Sequence, residues 1–194
     1  MTDKTALRST VRTARAARTD HQRERERSAI RAHVLTACAA MQLPGASRIA
    51  AYEPLPTEPG STELLAELAR EGYAVIVPVT LADRDLDWTL WTMAGDLAAR
   101  RDGAGKAMPG GPPRLGVDAI ATAALVLVPA FAVDPAGHRL GRGGGSYDRA
   151  LARVAEGTPV AALLYSDELV PQVPVDDWDR PVTAIVTPDG WREL

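Results

Sequence analysis

The sequence predicts an α/β protein, a three-layer α/β/α sandwich with a mainly parallel sheet, preceded by an N-terminal helical pair. Three observations lead there. Short apolar runs alternate with helix-spaced segments from residue 48 onward, the pattern of strand–helix–strand units whose helices cover both faces of a sheet. The run at 125–128 is apolar without alternation, as a fully buried strand requires. Before residue 44 the apolar residues instead recur every three or four positions between arginines. At 194 residues and 20.6 kDa, with 46% hydrophobic and 24% charged residues, the chain can build one substantial core, read as a single domain over 1–194.

The elements follow in order. Leu7, Val11 and Ala14 define a first short helix. Thr19 with Gln22 forms a capping box for a second helix, whose apolar stripe is Ile30, Val34, Cys38 and Met41 and which stops at Pro44-Gly45. Residues 48–52 read as a buried strand, and 53–60, with three prolines, as a loop. Ser61 caps a helix that runs to Glu71 and closes at Gly72. Strands are expected at 74–79 and, half-exposed, at 85–93. Residues 95–118, rich in glycine and proline after Gly103, read as a long surface loop and lid candidate. The strand at 125–128 leads through a glycine-rich loop at 134–145 into a helix at about 147–155, stopped by Gly157. Strands at 160–165 and 184–187 complete the sheet, whose ligands belong at the strand C-terminal ends.

Composition narrows the chemistry. The longest apolar stretch, 119–132, is too short to span a bilayer, and the N-terminus lacks the apolar run of a secretory signal, so a cytoplasmic protein without a membrane partner is expected. Cys38 alone excludes an intrachain disulfide, and His21, His33 and His138 show no metal-ligand spacing, so a metal would need oxygen ligands. Residues 1–33 carry a net charge of +5 against −8 for the remainder. This arginine run reads either as the solvated face of the helix pair or as an anion-binding surface. No aromatic residue precedes Tyr52 to stack on bases, and no nucleic-acid motif occurs, so nucleic acid is not expected as a partner.

The chemistry concentrates in Gly137-His138-Arg139-Leu140-Gly141-Arg142-Gly143-Gly144-Gly145-Ser146-Tyr147-Asp148-Arg149, between a buried strand and a helix. Glycines let backbone N–H groups approach phosphate oxygens, a helix N-terminus adds partial positive charge, and Arg139 and Arg142 offer planar bidentate donors. Neither a P-loop nor a dinucleotide fingerprint is present: Ala107 follows Lys106 where Ser or Thr is needed, and Ser146 takes the third glycine position after Gly141-x-Gly143.

Val128-Pro129, Asp134 and Arg139-Leu140-Gly141-x-Gly143-x-Gly145-x-Tyr147-Asp148-Arg149 resemble the signature of the 5-formyltetrahydrofolate cyclo-ligase (5,10-methenyltetrahydrofolate synthetase) family. Lys4-x-x-Leu7-Arg8, Tyr52 through Glu58-x-x-x-Thr62, and Val173-Pro174 with Asp179 resemble its other blocks, so the similarity spans nearly the whole chain. Gly144 stands where many relatives have Lys and Ser146 where many have Tyr. The resemblance implies ATP- and Mg²⁺-dependent ring closure of 5-formyltetrahydrofolate to 5,10-methenyltetrahydrofolate by a monomer acting on small molecules. It implies ATP contacts from Lys4, Arg8 and the segment Arg139, Leu140, Gly141, Arg142, Gly143, Gly144, Gly145, Ser146 and Tyr147, with Arg142 steadying the transferred phosphoryl group. It implies folate contacts from Glu53, Glu58 and Tyr147, and Mg²⁺ ligands in Asp148 and Asp179. A same-fold paralogue without the ring-closing activity, or a non-catalytic folate- or nucleotide-binding protein, remains the alternative.

Overall fold

The computed structural model describes residues 3–92 and 113–194. The predicted lid loop lies outside them through residue 112; of its remainder, Arg114 bridges Thr89 and residues 117–122 form a 3₁₀ turn.

Helices α1 (Lys4–Ala17) and α2 (Asp20–Ala40) form the expected N-terminal pair. Thr19 caps α2 in a capping box: its hydroxyl accepts from the Gln22 N–H at 3.2 Å, and Gln22 Oε1 accepts from the Thr19 N–H at 2.8 Å. Ile30, Val34 and Cys38 face the core, while Met41 is half-buried beyond the last turn. Burial pushes the Cys38 thiol up to about 11.

The sheet contains β1 (Arg48–Ala50), β2 (Ala74–Thr80), β3 (Leu86–Leu90), β4 (Ala123–Pro129), β7 (Val160–Leu163), β8 (Ala184–Thr187) and β9 (Gly190–Glu193), in the order β3-β2-β1-β4-β7-β8-β9. The five inner strands are parallel, with β3 and β9 antiparallel at the edges. Alternation separates two faces. Ile49, Leu125, Leu127 and Leu163 pack with α2 and α3 (Thr62–Arg70). Ala50, Val126, Val128 and Ala162 pack with the short α4 (Ser146–Leu151) and the 3₁₀ turn. Inner strands apolar on both faces are what a covered parallel sheet demands.

The structure corrects several boundaries. β4 is longer than the predicted 125–128, because Ala123 and Pro129 also join the ladder. The helix expected at 147–155 ends at Leu151, leaving six residues and too few aligned peptides for a strong macrodipole. The glycine-rich loop carries half of a small hairpin, β5 (Ala132–Val133) with β6 (Arg139–Leu140). β9 was not expected; four largely exposed residues give too little alternation to reveal it. From β1 the chain winds outward through β2 to β3, then returns to β4 and winds the other way through β7 to β8. The crevice at the C-terminal ends of β1 and β4 is therefore the topological switch point, where such sheets bind ligands. Among the described residues no helix is long and apolar enough to cross a membrane.

Candidate functional site at the strand ends

Three segments meet at this crevice. The first is the loop after β1. Glu58 Oε2 accepts from the Leu55 N–H at 2.8 Å, and the Glu58 carbonyl accepts from Arg27 Nε at 3.0 Å, Arg27 Nη2 at 2.7 Å and the Tyr165 hydroxyl at 3.3 Å. Arg27 therefore braces the loop from α2 instead of facing solvent. The signal was present in the sequence: Arg27 precedes Ile30 and Val34 by three and seven residues and continues their stripe. Glu53 follows β1 and is half-buried.

The second segment is the hairpin and glycine loop after β4. Asp134 organises it, accepting from the N–H groups of Ala136, His138 and Val173, each at 3.0 Å, with His138 Nδ1 also 3.0 Å away. Burial pushes this carboxyl up, but the Val173 and His138 hydrogen bonds outweigh it and hold Asp134 below the usual carboxylate range. Gly137 adopts φ +84°, and its carbonyl accepts from the Val182 N–H at 2.9 Å. Beyond it, Arg139 donates from Nη2 to Asp148 Oδ1 at 2.8 Å, with its guanidinium 5.7 Å from the Tyr147 ring centre. Arg142 reaches back across the crevice to Glu58 Oε1 at 2.8 Å; its side chain is 55% exposed, that of Glu58 only 7%. Gly145, in the left-handed region at φ +67°, starts α4, so Asp148 lies inside the helix and holds Arg139 instead of capping.

The third segment is α1. Arg8 Nε donates to the Gly141 carbonyl at 2.8 Å, and Lys4 Nζ donates to Asp176 Oδ2 at 2.6 Å and Asp179 Oδ2 at 3.0 Å. Burial lowers the Lys4 ammonium pKa, but the two carboxylates reverse this and hold it above its ordinary value. The Arg180 N–H donates to Asp148 Oδ1 at 3.3 Å and joins this cluster to the Arg139 pair.

Lys4, Arg8, Arg139, Gly141, Arg142, Glu58, Asp148 and Asp179 thus come together as directly paired groups. Gly143 lies beside the Arg8 guanidinium, and Gly144 and Ser146 complete the loop between Gly143 and α4. Leu140 is different: its side chain packs in an apolar cluster with Val11, Phe131, Ala132 and Val173, so only its backbone can face a ligand. Among the described residues, Tyr147 Oη, Arg139 Nε and Tyr52 Oη are buried polar atoms that find no hydrogen-bond partner. Burial, reinforced by Glu58, pushes the Tyr147 phenol well above its ordinary value, so it is a neutral donor. Unpaired buried donors are costly in a folded protein, and here two of them belong to residues of the glycine-loop segment.

The cations and carboxylates neutralise each other: Lys4 with Asp179, Arg139 with Asp148, Arg142 with Glu58. Such pairs can exchange partners, the cations for an anionic ligand and the carboxylates for a metal. Among the described residues no three His, Cys, Asp or Glu side chains gather as a metal cage. Two separate carboxylates nevertheless suit a hard divalent ion that completes its shell with ligand phosphates and water.

Arg15 and Glu168 were missed by sequence reasoning. Arg15, part of the arginine run read either as a solvated face or as an anion-binding surface, instead donates from Nε and Nη2 to Glu168 Oε1 and Oε2 at 2.6 and 2.8 Å, and from Nη2 to the Ala130 carbonyl at 2.6 Å.

A sequence model of the 5-formyltetrahydrofolate cyclo-ligase family matches residues 1–188. A 5-formyltetrahydrofolate cyclo-ligase from Mycolicibacterium smegmatis is 38% identical over 145 residues, covering 72% of this chain and 73% of that protein. The Escherichia coli K12 protein of the same name is 40% identical over 65 residues, 33% of this chain and 36% of the other. Among solved structures, a 5,10-methenyltetrahydrofolate synthetase from Aquifex aeolicus superposes with a TM-score of 0.78 at 26% identity, covering 98% of this chain and 92% of that one. One from Mycoplasma pneumoniae shares the fold, with a TM-score of 0.76 at 19% identity over 96% and 99% of the two chains. With the family matched over residues 1–188 and the glycine loop, its arginines and Glu58 gathered at one crevice, the chain belongs to the 5-formyltetrahydrofolate cyclo-ligase family of ligases.

Proposed function

We propose that this protein catalyses the ATP-dependent cyclisation of 5-formyltetrahydrofolate to 5,10-methenyltetrahydrofolate, with release of ADP and phosphate. The observation that carries the reading is the meeting of Arg8, Arg139 and Arg142 at the glycine-loop segment, with Arg142 paired to Glu58 and Lys4 held on Asp179 beside Arg180, whose N–H reaches Asp148, at the switch point of the sheet.

A formamide carbon is a poor electrophile and its oxygen a poor leaving group. Attack of the formyl oxygen on the γ-phosphorus of ATP forms an O–P bond as the bond to ADP breaks. The product is an imidate phosphate. N10 then attacks the imidate carbon and loses its proton, and phosphate departs to leave the methenyl bridge. Phosphoryl transfer depends on alignment and charge stabilisation and needs no protein nucleophile. Arg142 suits that work because it is forked, exposed, and already spans from the loop to Glu58. Lys4, Arg8 and Arg139 would hold the phosphates with backbone N–H groups of 143–145, while Glu58, Glu53 and Tyr147 would hold the folate. Asp148 and Asp179 would hold Mg²⁺, whose contribution when bound is neutralisation of phosphate charge.

The test is the absorbance of the methenyl product on mixing purified protein, 5-formyltetrahydrofolate and Mg²⁺ with or without ATP. An ATP-dependent rise, abolished by EDTA, at about 1–100 s⁻¹ is the expected result. Saturable ATP binding with no product overturns the reading in favour of a paralogue without ring closure.

A further inference from the structure

The buried ion pair of Arg15 and Glu168 makes no hydrogen bond to a residue assigned to substrate, and Arg15 sits on the helix that carries Lys4 and Arg8. Arg15 is 3% and Glu168 1% exposed. The guanidinium meets the carboxylate side-on through Nε and Nη2, and Nη2 also bonds the Ala130 carbonyl just beyond β4. Glu168 Oε2 in turn accepts from the Tyr165 N–H at 3.0 Å, just beyond β7. The pair therefore ties α1 to the C-terminal ends of two central strands.

Lys4, Arg8, Val11 and Arg15 share one face of α1 at spacings of four, three and four residues. The apolar hold on this helix is slight: Val11 is its one buried apolar residue, with Leu7 packed against the same small cluster. A contact of that kind resists separation but leaves rotation about the helix axis loosely fixed. A planar two-armed pair fixes rotation as well as distance. Arg15 and Lys4 lie about 16 Å apart along the axis, so a tilt of only about 10° at the anchor would carry Lys4 some 3 Å, beyond hydrogen-bond reach.

We propose that Arg15 and Glu168 are positioning residues that hold α1 in the rotation and tilt at which Lys4 and Arg8 meet the phosphates of a nucleoside triphosphate over the glycine loop. This rests on the ATP reading above. The pair acts mainly on the nucleotide half of the site, through Lys4 and Arg8; it reaches Glu58 through Tyr165, whose N–H donates to Glu168, while Arg27 and the Leu55 N–H hold Glu58 independently of it.

The experiment uses Arg15→Met/Glu168→Leu, which removes both charges at similar volume and leaves no unpaired buried ion. Affinity for a non-hydrolysable ATP analogue and for 5-formyltetrahydrofolate is measured separately, together with hydrogen exchange of the α1 amides. The expected result is at least a tenfold loss for the ATP analogue, the size expected when one charged hydrogen bond is lost, with a much smaller loss for folate and exchange faster in α1 but not in β4 or β7. In a Lys4→Ala/Arg8→Ala background the same double substitution should cost much less, since both positioned groups are already gone. Equal losses for both ligands, or a loss as large in the Lys4→Ala/Arg8→Ala background, would show a merely structural pair and overturn the proposal. Wild-type protein that binds no ATP analogue would overturn the nucleotide reading itself, and the proposal with it.

Discussion

Gly137→Ala gives the sharpest test of how the site is assembled. Gly137 has φ +84°, and a Cβ added there would lie 2.3 Å from the Val182 carbonyl oxygen, a backbone atom that cannot swing aside. The left-handed conformation costs a non-glycine residue about 1–2 kcal/mol. Overpacking against fixed backbone adds about 1–3 kcal/mol. Displacing the segment before β8 would also strain the 2.9 Å bond from the Val182 N–H to the Gly137 carbonyl, worth about 1 kcal/mol. Together these predict a loss of about 3–6 kcal/mol, a large share of the 5–15 kcal/mol that stabilises most domains. In urea, with a slope of about 2 kcal/mol per molar that stays unchanged, the midpoint should fall by roughly 1.5–3 M. Gly144 is the control: a Cβ there would meet only Ser146 Oγ, at an ordinary 3.5 Å. Gly144→Ala should stay within about 0.5 kcal/mol of the parent. Activity should follow, because the 137–182 contact joins the hairpin to the segment carrying Asp179 and Arg180. A Gly137→Ala midpoint within experimental error of the Gly144→Ala midpoint would refute the steric reasoning.

Asp134 contributes stability through its lowered carboxyl pKa, so this contribution is present above the ordinary carboxylate value of about 4 and is lost as pH falls through the folded value. Asp134→Asn should flatten the acid limb of stability against pH in thermal melts; an unchanged limb would remove that role. Cys38, with its thiol pushed up to about 11 by burial, should react with a thiol reagent at pH 8 only as fast as the protein unfolds, and labelling at the rate of a free peptide would contradict the packing. Arg142→Ala should lower kcat by roughly 10²–10³-fold with little change in folate KM, as removal of a transition-state donor does. Wild-type kinetics would end that assignment.

Much of the fold was legible because it rests on local patterns. Ile30, Val34 and Cys38 mark a buried helix face by their spacing, Thr19 and Gln22 mark its start, and the unbroken apolar run of β4 marks a strand covered on both sides. The cyclo-ligase resemblance was equally visible, since the Arg139 to Arg149 block is contiguous. Short elements were not: a two-residue hairpin strand and a four-residue edge strand offer no periodicity to read.

By itself, then, the sequence determined the α/β alternation, the helical pair and which residues are chemically suited to bind phosphate, because each depends on neighbours a few positions apart. Tertiary structure alone decided the partners. Lys4 meets Asp179 across 175 positions, Arg142 meets Glu58 across 84, and Arg15 is buried on Glu168 across 153. An arginine in a helix reads the same whether it faces water or a carboxylate beyond the next sheet strand. Only the packing of α1 against the strand ends settles which of them is solvated, which is buried and which can reach a ligand.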